Sequence, residues 1–141
     1  GDKGASALAA VLKETMISNL NLEDNRLSPE GAAAIAEGLK GNTTLQSLNL
    51  ASNQLCGLNL FGEGTYTAEG ITKLCEGLKG STVTSLDLRF NGIGPKGGTA
   101  LAEGLKDNLT LQSLDLQYND LNDEAKRAVK DAAGSGVDIQ F

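Results

Sequence analysis

Residues 83–93 read VTSLDLRFNGI and residues 111–121 read LQSLDLQYNDL, and the two stretches superpose without a gap. Residues 17–27 (ISNLNLEDNRL) and 45–55 (LQSLNLASNQL) superpose on both. All four copies follow L-x-x-L-x-L-x-x-N-x-L, with Ile or Val in place of some leucines. The alternation of leucine with polar residues predicts short strands with one buried face. Four copies in 141 residues make the chain a repeat protein.

A helical segment follows each copy. Residues 28–44, 67–82 and 94–110 all contain E-G-L-K near their end. Ile35 and Leu39 lie four positions apart, which is typical of the apolar face of a helix. One strand and one helix cannot bury their apolar faces alone, so consecutive units are expected to stack.

The chain therefore divides into units of a single domain. The units are a half repeat at 1–16, repeats at 17–44, 45–82, 83–110 and 111–136, and a terminal strand at 137–141, with an insertion at about 56–66 in the second repeat. The half repeat has no strand of its own. We expect either a fragment of a longer protein or a short protein whose first strand, 18–22, has an open edge.

This pattern resembles the leucine-rich repeat family, specifically its long class typified by ribonuclease inhibitor. The resemblance implies an α/β solenoid, a fragment of a horseshoe, with parallel strands on the concave face and helices on the convex face. Four asparagines end the strand stretches: Asn25, Asn53, Asn91 and Asn119. Their amides are expected to bond the loop backbones of the stack, which would otherwise be buried without partners.

Composition narrows the classes of function. The net charge is −6 and lysines and arginines do not cluster, so we expect no nucleic-acid partner. No apolar run approaches the roughly 20 residues of a membrane-spanning helix, so no membrane partner is expected. Two cysteines, Cys56 and Cys75, suit free thiols in the cytoplasm. Histidine is absent, and no nucleophile pair or metal cluster stands out. We therefore expect no enzyme activity, no cofactor and no metal.

A glycine motif at residues 92–97, GIGPKG, has the G-x-G-x-x-G spacing of a dinucleotide-binding turn. The repeats explain it otherwise. Gly97 aligns with the helix-entry glycine Gly31, whereas Gly92 and Gly94 align with Arg26 and Ser28. We interpret the motif as a repeat loop, in which these glycines are interchangeable with Arg and Ser.

In a repeat protein, function is expected where the copies differ at exposed positions. Phe90 and Tyr118 occupy the same position of adjacent units, where other copies have Asp24 and Ser52. Adjacent strands lie about 4.8 Å apart, so the two rings should be neighbours. The candidate binding residues on the concave face are Glu23, Asp24, Asn49, Asp87, Arg89, Phe90, Asp115, Gln117 and Tyr118. Aromatic residues beside an arginine favour an interface anchor, although the rings could instead shield the strand ends.

The insertion at about 56–66, CGLNLFGEGTY, is more apolar than a solvent loop normally is. Insertions in solenoids lie on one face, often the binding face. Phe61 is the candidate contact residue of this loop. The alternative is that its apolar side chains fold back into a small cluster.

These features favour a non-catalytic protein–protein interaction module that binds a protein partner through the concave face and the inserted loop. An alternative is a GTPase activator, because Ran GTPase-activating proteins resemble this repeat class, and Arg26 and Arg89 are the exposed arginines nearest the strand ends. A third hypothesis is a structural or self-associating fragment that pairs through the open first strand.

Overall fold

The computed structural model describes all of residues 1–141. Helices and strands alternate along the chain: α1 Asp2–Leu12, β1 Asn19–Asn21, α2 Pro29–Leu39, β2 Ser47–Asn49, α3 Glu69–Leu78, β3 Ser85–Asp87, α4 Gly94–Leu105, β4 Ser113–Asp115, α5 Asp123–Ala133 and β5 Asp138–Gln140. The five strands form one parallel sheet in the order β1-β2-β3-β4-β5. The expected α/β solenoid is confirmed.

The centre of each strand supplies one leucine or isoleucine to the core. Leu20, Leu48, Leu86, Leu114 and Ile139 pair in register across the sheet. The middle three are buried, whereas Leu20 and Ile139, on the two edge strands, are half-buried. Since each strand is covered by its neighbours and by the helices behind, the stack supplies the core that no unit could form alone.

Neighbouring helices approach each other through glycine. A β-carbon on Gly77 would lie 2.4 Å from the Ala36 carbonyl oxygen, and one on Gly104 would lie 2.3 Å from the Cys75 β-carbon. A β-carbon on Gly38 would lie 2.9 Å from the Ala9 α-carbon. The glycine of each E-G-L-K motif therefore packs against the preceding helix, which sets the helix spacing to that of the strands.

Buried asparagines hold the strand ends together. The Asn91 amide nitrogen donates to the carbonyls of Leu50, Leu88 and Arg89 at 2.9 to 3.1 Å, and its oxygen accepts from the Leu55 N–H. Asn53 and Asn119 bond the backbone in the same way. The expected role of these three is confirmed.

Asn25 differs from them because no strand precedes β1 in the sheet. Its side chain is exposed and donates only to the Glu23 carbonyl. The asparagine side chain at this repeat position therefore bonds the backbone of the neighbouring unit in three units, whereas in the first unit it makes a single local hydrogen bond.

The glycine motif is a repeat loop, but its two glycines are not equivalent. Gly92 has φ +62° and Arg26, its counterpart, has φ +54°, so both accept the same left-handed backbone. Gly94 has φ +63°, whereas Ser28 is extended at φ −90°. Ser28 caps α2 by accepting from the Glu30 N–H. The expectation that Gly94 and Ser28 are interchangeable is wrong, because Gly94 starts its helix from a left-handed residue without a side-chain cap.

Candidate interaction surface

One row of residues lines the point where the strands end. Asp24, Ser52, Phe90 and Tyr118 immediately precede the four asparagines, and all have φ between 54° and 61°. Left-handed backbone is rare for residues other than Gly, Asn and Asp, and unusual for aromatic residues. Because the four share one conformation, their side chains leave the backbone in similar directions. We call these four residues the strand-end row.

Phe90 and Tyr118, the aromatic pair, stack face to face within this row. Their ring centroids are 4.4 Å apart and their planes differ by 6°. The side chains remain 51% and 66% exposed. The expectation that the rings are neighbours is confirmed. They stand in solvent and are not covered by the following loop, so a large aromatic surface is displayed on a regular backbone.

Arg89 lies beside the aromatic pair and is held by two carboxylates. Its guanidinium donates to Asp87 with a closest N–O distance of 2.7 Å and lies 3.6 Å from Asp115. These contacts raise the pKa of Arg89, mainly through the hydrogen bond that it donates to Asp87 and the charge of that carboxylate. The arginine is therefore a fixed, internally paired group.

Several candidate residues also support the backbone locally. The side chains of Asn49, Asp87 and Asp115 each accept the N–H of the residue two positions later. Gln117 donates to Asp115, and Asn49 donates to Glu23. This structural role recurs in each unit, including Asn21, and was missed in the analysis of the sequence. The recurrence of Asn or Asp at one repeat position was the available signal.

The inserted loop presents an ordered apolar tip, residues 59–63. The Asn59 side-chain oxygen accepts from the N–H groups of Phe61 and Glu63, and its amide donates to the Glu63 carboxylate. This network turns the chain so that Leu60 and Phe61 point outward, 87% and 80% exposed. Phe61 lies on an ordered turn and is not folded into a cluster.

Two glycines close the neck of this loop. A β-carbon on Gly57 would lie 2.1 Å from the Thr65 carbonyl, and one on Gly64 would lie 2.2 Å from the Gly57 carbonyl. Both glycines have positive φ, at +88° and +129°. Only glycine allows the two sides to cross this closely.

The returning side of the loop is anchored on the turn after β3. The Tyr66 hydroxyl donates to the Ile93 carbonyl, and its ring packs against the core. Burial raises the pKa of Tyr66 to about 12 and that of Cys56 to about 11. The fold-back alternative therefore holds for Tyr66, whereas Leu60 and Phe61 remain in solvent.

The remaining groups do not form a reactive, metal-binding or membrane-spanning site. Cys75 is buried against Gly104, and burial raises its pKa to about 12, so the thiol is mostly protonated at neutral pH. No group of three His, Cys, Asp or Glu side chains converges in a way that could hold a metal ion. None of the five helices is long and apolar enough to cross a membrane. The exposed rings and the loop tip are the features that distinguish this surface.

One strand and one helix per unit, repeated in register, define an α/β solenoid. The leucine rich repeat family model matches residues 15–36, 41–55, 81–102 and 107–125, together more than half of the chain. The chain therefore belongs to the leucine-rich repeat family. Domains of this family are typical protein–protein interaction modules and are typically non-catalytic.

Known relatives carry this domain inside much longer proteins. The chain is 28% identical over 138 residues to the Rho GTPase-activating protein gacW of Dictyostelium discoideum, covering 92% of this chain and 12% of that protein. It is 31% identical over 106 residues to the Ran GTPase-activating protein of Drosophila melanogaster, covering 69% of this chain and 16% of that protein. The chain thus spans less than a fifth of either relative.

A solved structure shows the same fold. Leiomodin-1 Actin-Binding Site 2 superposes with a TM-score of 0.75 at 24% identity, covering 94% of this chain and 72% of that one. At this identity the similarity concerns the arrangement of strands and helices.

Proposed function

We propose that this domain is a non-catalytic module that binds a protein partner through its concave face and its inserted loop. The observation that carries the proposal is the stacked, exposed aromatic pair of Phe90 and Tyr118 on the regular strand ends. Aromatic side chains that are already ordered lose little conformational entropy on binding, and they are enriched among hot-spot residues of interfaces.

The inserted loop supports the same proposal. Leu60 and Phe61 are presented by a hydrogen-bonded tip that is tied to the β3 turn through Tyr66. The loop leaves the same edge of the sheet at which the strand-end row lies. A partner that contacts the aromatic pair could therefore also reach an apolar group that extends beyond the sheet.

The test is capture of binding proteins with the tagged domain from cells that express it, quantified by mass spectrometry. Phe90→Ala with Tyr118→Ala should reduce capture at least about tenfold, since hot-spot truncation typically costs about 2 kcal/mol or more. Leu109→Ala is the matched control, because Leu109 is 96% exposed but precedes β4 at the opposite end of the strands. Equal capture by the double variant and the control, with both folded, would contradict the proposal.

The second candidate function is GTPase activation of the Ran GTPase-activator type. The 31% identity to the Drosophila Ran GTPase-activating protein favours it, and Arg26 is an exposed arginine without an ion pair. Arg89 is less suited to stabilise a transferring phosphate because Asp87 and Asp115 already hold it. Such an arginine can raise the rate about 10³-fold or more. GTP hydrolysis by purified Ran- and Rho-class GTPases, with the domain and with Arg26→Ala, tests this candidate.

A further inference from the structure

The strand-end row contains one open position next to the aromatic pair. Hydrogen bonds from the Asp24 N–H to the Ala51 carbonyl and from the Ser52 N–H to the Arg89 carbonyl keep the strands in register up to this row. Phe90 covers Tyr118 with one face. Because the rings stack at nearly the strand spacing and β3 lies between β2 and β4, we infer that the other face is directed along the row toward Ser52, whose side chain is short. We call the space above Ser52, between Phe90 and Asp24, the Ser52 slot.

The spacing of the strands leaves room in the slot for one planar group together with the Asp24 carboxylate that would bond it. Asp24 and Phe90 are two strand spacings apart, or about 10 Å. A planar group stacked on Phe90 lies about 3.5–4 Å from the ring, and the remaining space is within reach of the Asp24 carboxylate. Phe90 is 51% exposed although Tyr118 covers one face, so the other face is accessible.

The charges around the slot determine which planar group can bind there. The Asp24 carboxylate makes no ion pair or side-chain hydrogen bond, and the neighbouring Glu23 carboxylate accepts only from the Asn49 amide. Arg89, which precedes Phe90, is held by Asp87 and Asp115 and makes no ion pair with Asp24. The face of an aromatic ring is also electronegative. An apolar group in the slot would leave Asp24 desolvated without a partner, which is unfavourable.

We propose that the protein partner inserts an arginine side chain into the Ser52 slot, an inference that rests on the proposed function. The guanidinium is planar, so it stacks on the free face of Phe90. Its N–H groups at the same time donate to Asp24, and Glu23 adds to the attraction. Lysine carries the charge but cannot stack in this way, and so arginine is the preferred group.

The direct test uses acetyl-arginine-amide as a probe in an NMR titration at constant ionic strength. A single cation–π contact with one ion pair gives a Kd on the order of tens of millimolar, so the titration extends to about 100 mM. We expect saturable shifts at Ser52 and Phe90, and contacts between the arginine δ-protons and the Phe90 ring. Acetyl-citrulline-amide, which has the same shape without the charge, should bind at least about threefold more weakly. Equal binding of the two, or no saturable shift, would overturn the proposal.

Two variants locate the probe. Ser52→Tyr should extend the stack and fill the slot, and the backbone there already accepts Phe90 and Tyr118 in the equivalent positions. It should abolish the shifts, whereas Asp24→Asn should weaken binding about twofold to fivefold. An unchanged titration with Ser52→Tyr, in a variant that melts like the parent, would place the probe elsewhere and refute the slot.

Failure of this inference is distinguishable from failure of the proposed function. Partner capture that is lost with Phe90→Ala and Tyr118→Ala but unchanged with Ser52→Tyr refutes the insertion of an arginine into the slot. The same result still supports the proposed interaction module. Capture that survives the removal of both rings refutes the module as proposed and the slot with it. Capture that is lost in both variants, while both remain folded, supports the slot.

Discussion

At the scale of single residues, the asparagines between the units stabilise the stack more than their polarity suggests. Asn91 is buried and satisfies three carbonyls and one N–H, which belong to its own turn and to the turn after β2. Asn25 occupies the same repeat position in solvent, with one hydrogen bond. Asn25 therefore serves as the control for Asn91, because it occupies the same repeat position without the buried hydrogen bonds.

We predict that Asn91→Ala lowers the free energy of unfolding by roughly 3 kcal/mol or more, because each buried polar group left without a partner costs about 1–3 kcal/mol. Asn25→Ala should lower it by less than about 1 kcal/mol. Urea denaturation of the two variants measures the difference. Equal losses would show that the ladder of asparagines does not hold the units together.

The buried thiols predict a dependence of stability on alkaline pH. Burial raises the pKa of Cys75 from its ordinary 9.0 to about 12. An acid with a raised pKa in the folded state contributes stability that is fully present below its unfolded pKa and is lost as the pH rises toward the folded one. Cys75 should therefore contribute a loss of stability between about pH 9 and 12.

Cys75→Ala tests this dependence, since Ala36 and Ala102 occupy the equivalent positions. The parent should lose stability more steeply than the variant above pH 9, by up to roughly 1 kcal/mol per pH unit. Denaturant midpoints at pH 8 and at pH 10 to 11 provide the comparison. Parallel curves for the two proteins would contradict the burial argument.

At the scale of elements, glycine fixes how closely the helices pack. Gly77 lies near the C-terminal end of α3, where a β-carbon would meet the backbone of Ala36 at 2.4 to 2.8 Å. Gly4 lies in α1 with nothing within 4 Å. Alanine has a higher helix propensity than glycine at both sites. A difference in stability between the two substitutions therefore reports on packing.

We predict that Gly77→Ala lowers the free energy of unfolding by about 1–3 kcal/mol through overpacking. Gly4→Ala should raise it by about 0.5–1 kcal/mol through helix propensity. Thermal or urea unfolding reports both changes. A stabilised Gly77→Ala variant would mean that the helices separate without penalty.

The sequence predicted the element order well because each repeat carries the same local signals. Strand bounds were less accurate: 18–22 was expected and β1 runs Asn19–Asn21, although the Leu22 N–H still donates to the Asn49 carbonyl. The proximity of Phe90 and Tyr118 followed from the repeat spacing, whereas their face-to-face stacking was not predicted. The pairing of Arg89 with Asp87 and Asp115 did not, since a side-chain contact depends on rotamers that periodicity does not encode.

At the scale of the whole molecule, β1 leaves one row of backbone groups of the sheet unpaired. No proline or lysine lies between Ile17 and Leu22 to block pairing of this edge with another chain. The strand is only three residues long, however, and a short edge limits such pairing. We therefore propose that the 141-residue domain self-associates through this edge, but only weakly.

The prediction is a rise in apparent mass at high concentration, approaching the millimolar range in which weak contacts are populated. Asn21→Pro should suppress it by removing a donor from the edge. Static light scattering over a concentration series measures both proteins. A constant monomer mass for the parent at all concentrations would argue against the self-associating alternative.

The central claim is that a protein partner is bound at the strand ends, and photocrosslinking tests it most directly. A benzoylphenylalanine in place of Tyr118 keeps an aromatic side chain in the stack, and one in place of Phe61 samples the loop tip. The same substitution at Leu109 is the control at the opposite end of the strands. We predict a discrete crosslinked species shared by the Tyr118 and Phe61 variants and absent from the Leu109 variant. Crosslinks of equal yield at all three positions, or at Leu109 alone, would contradict the account.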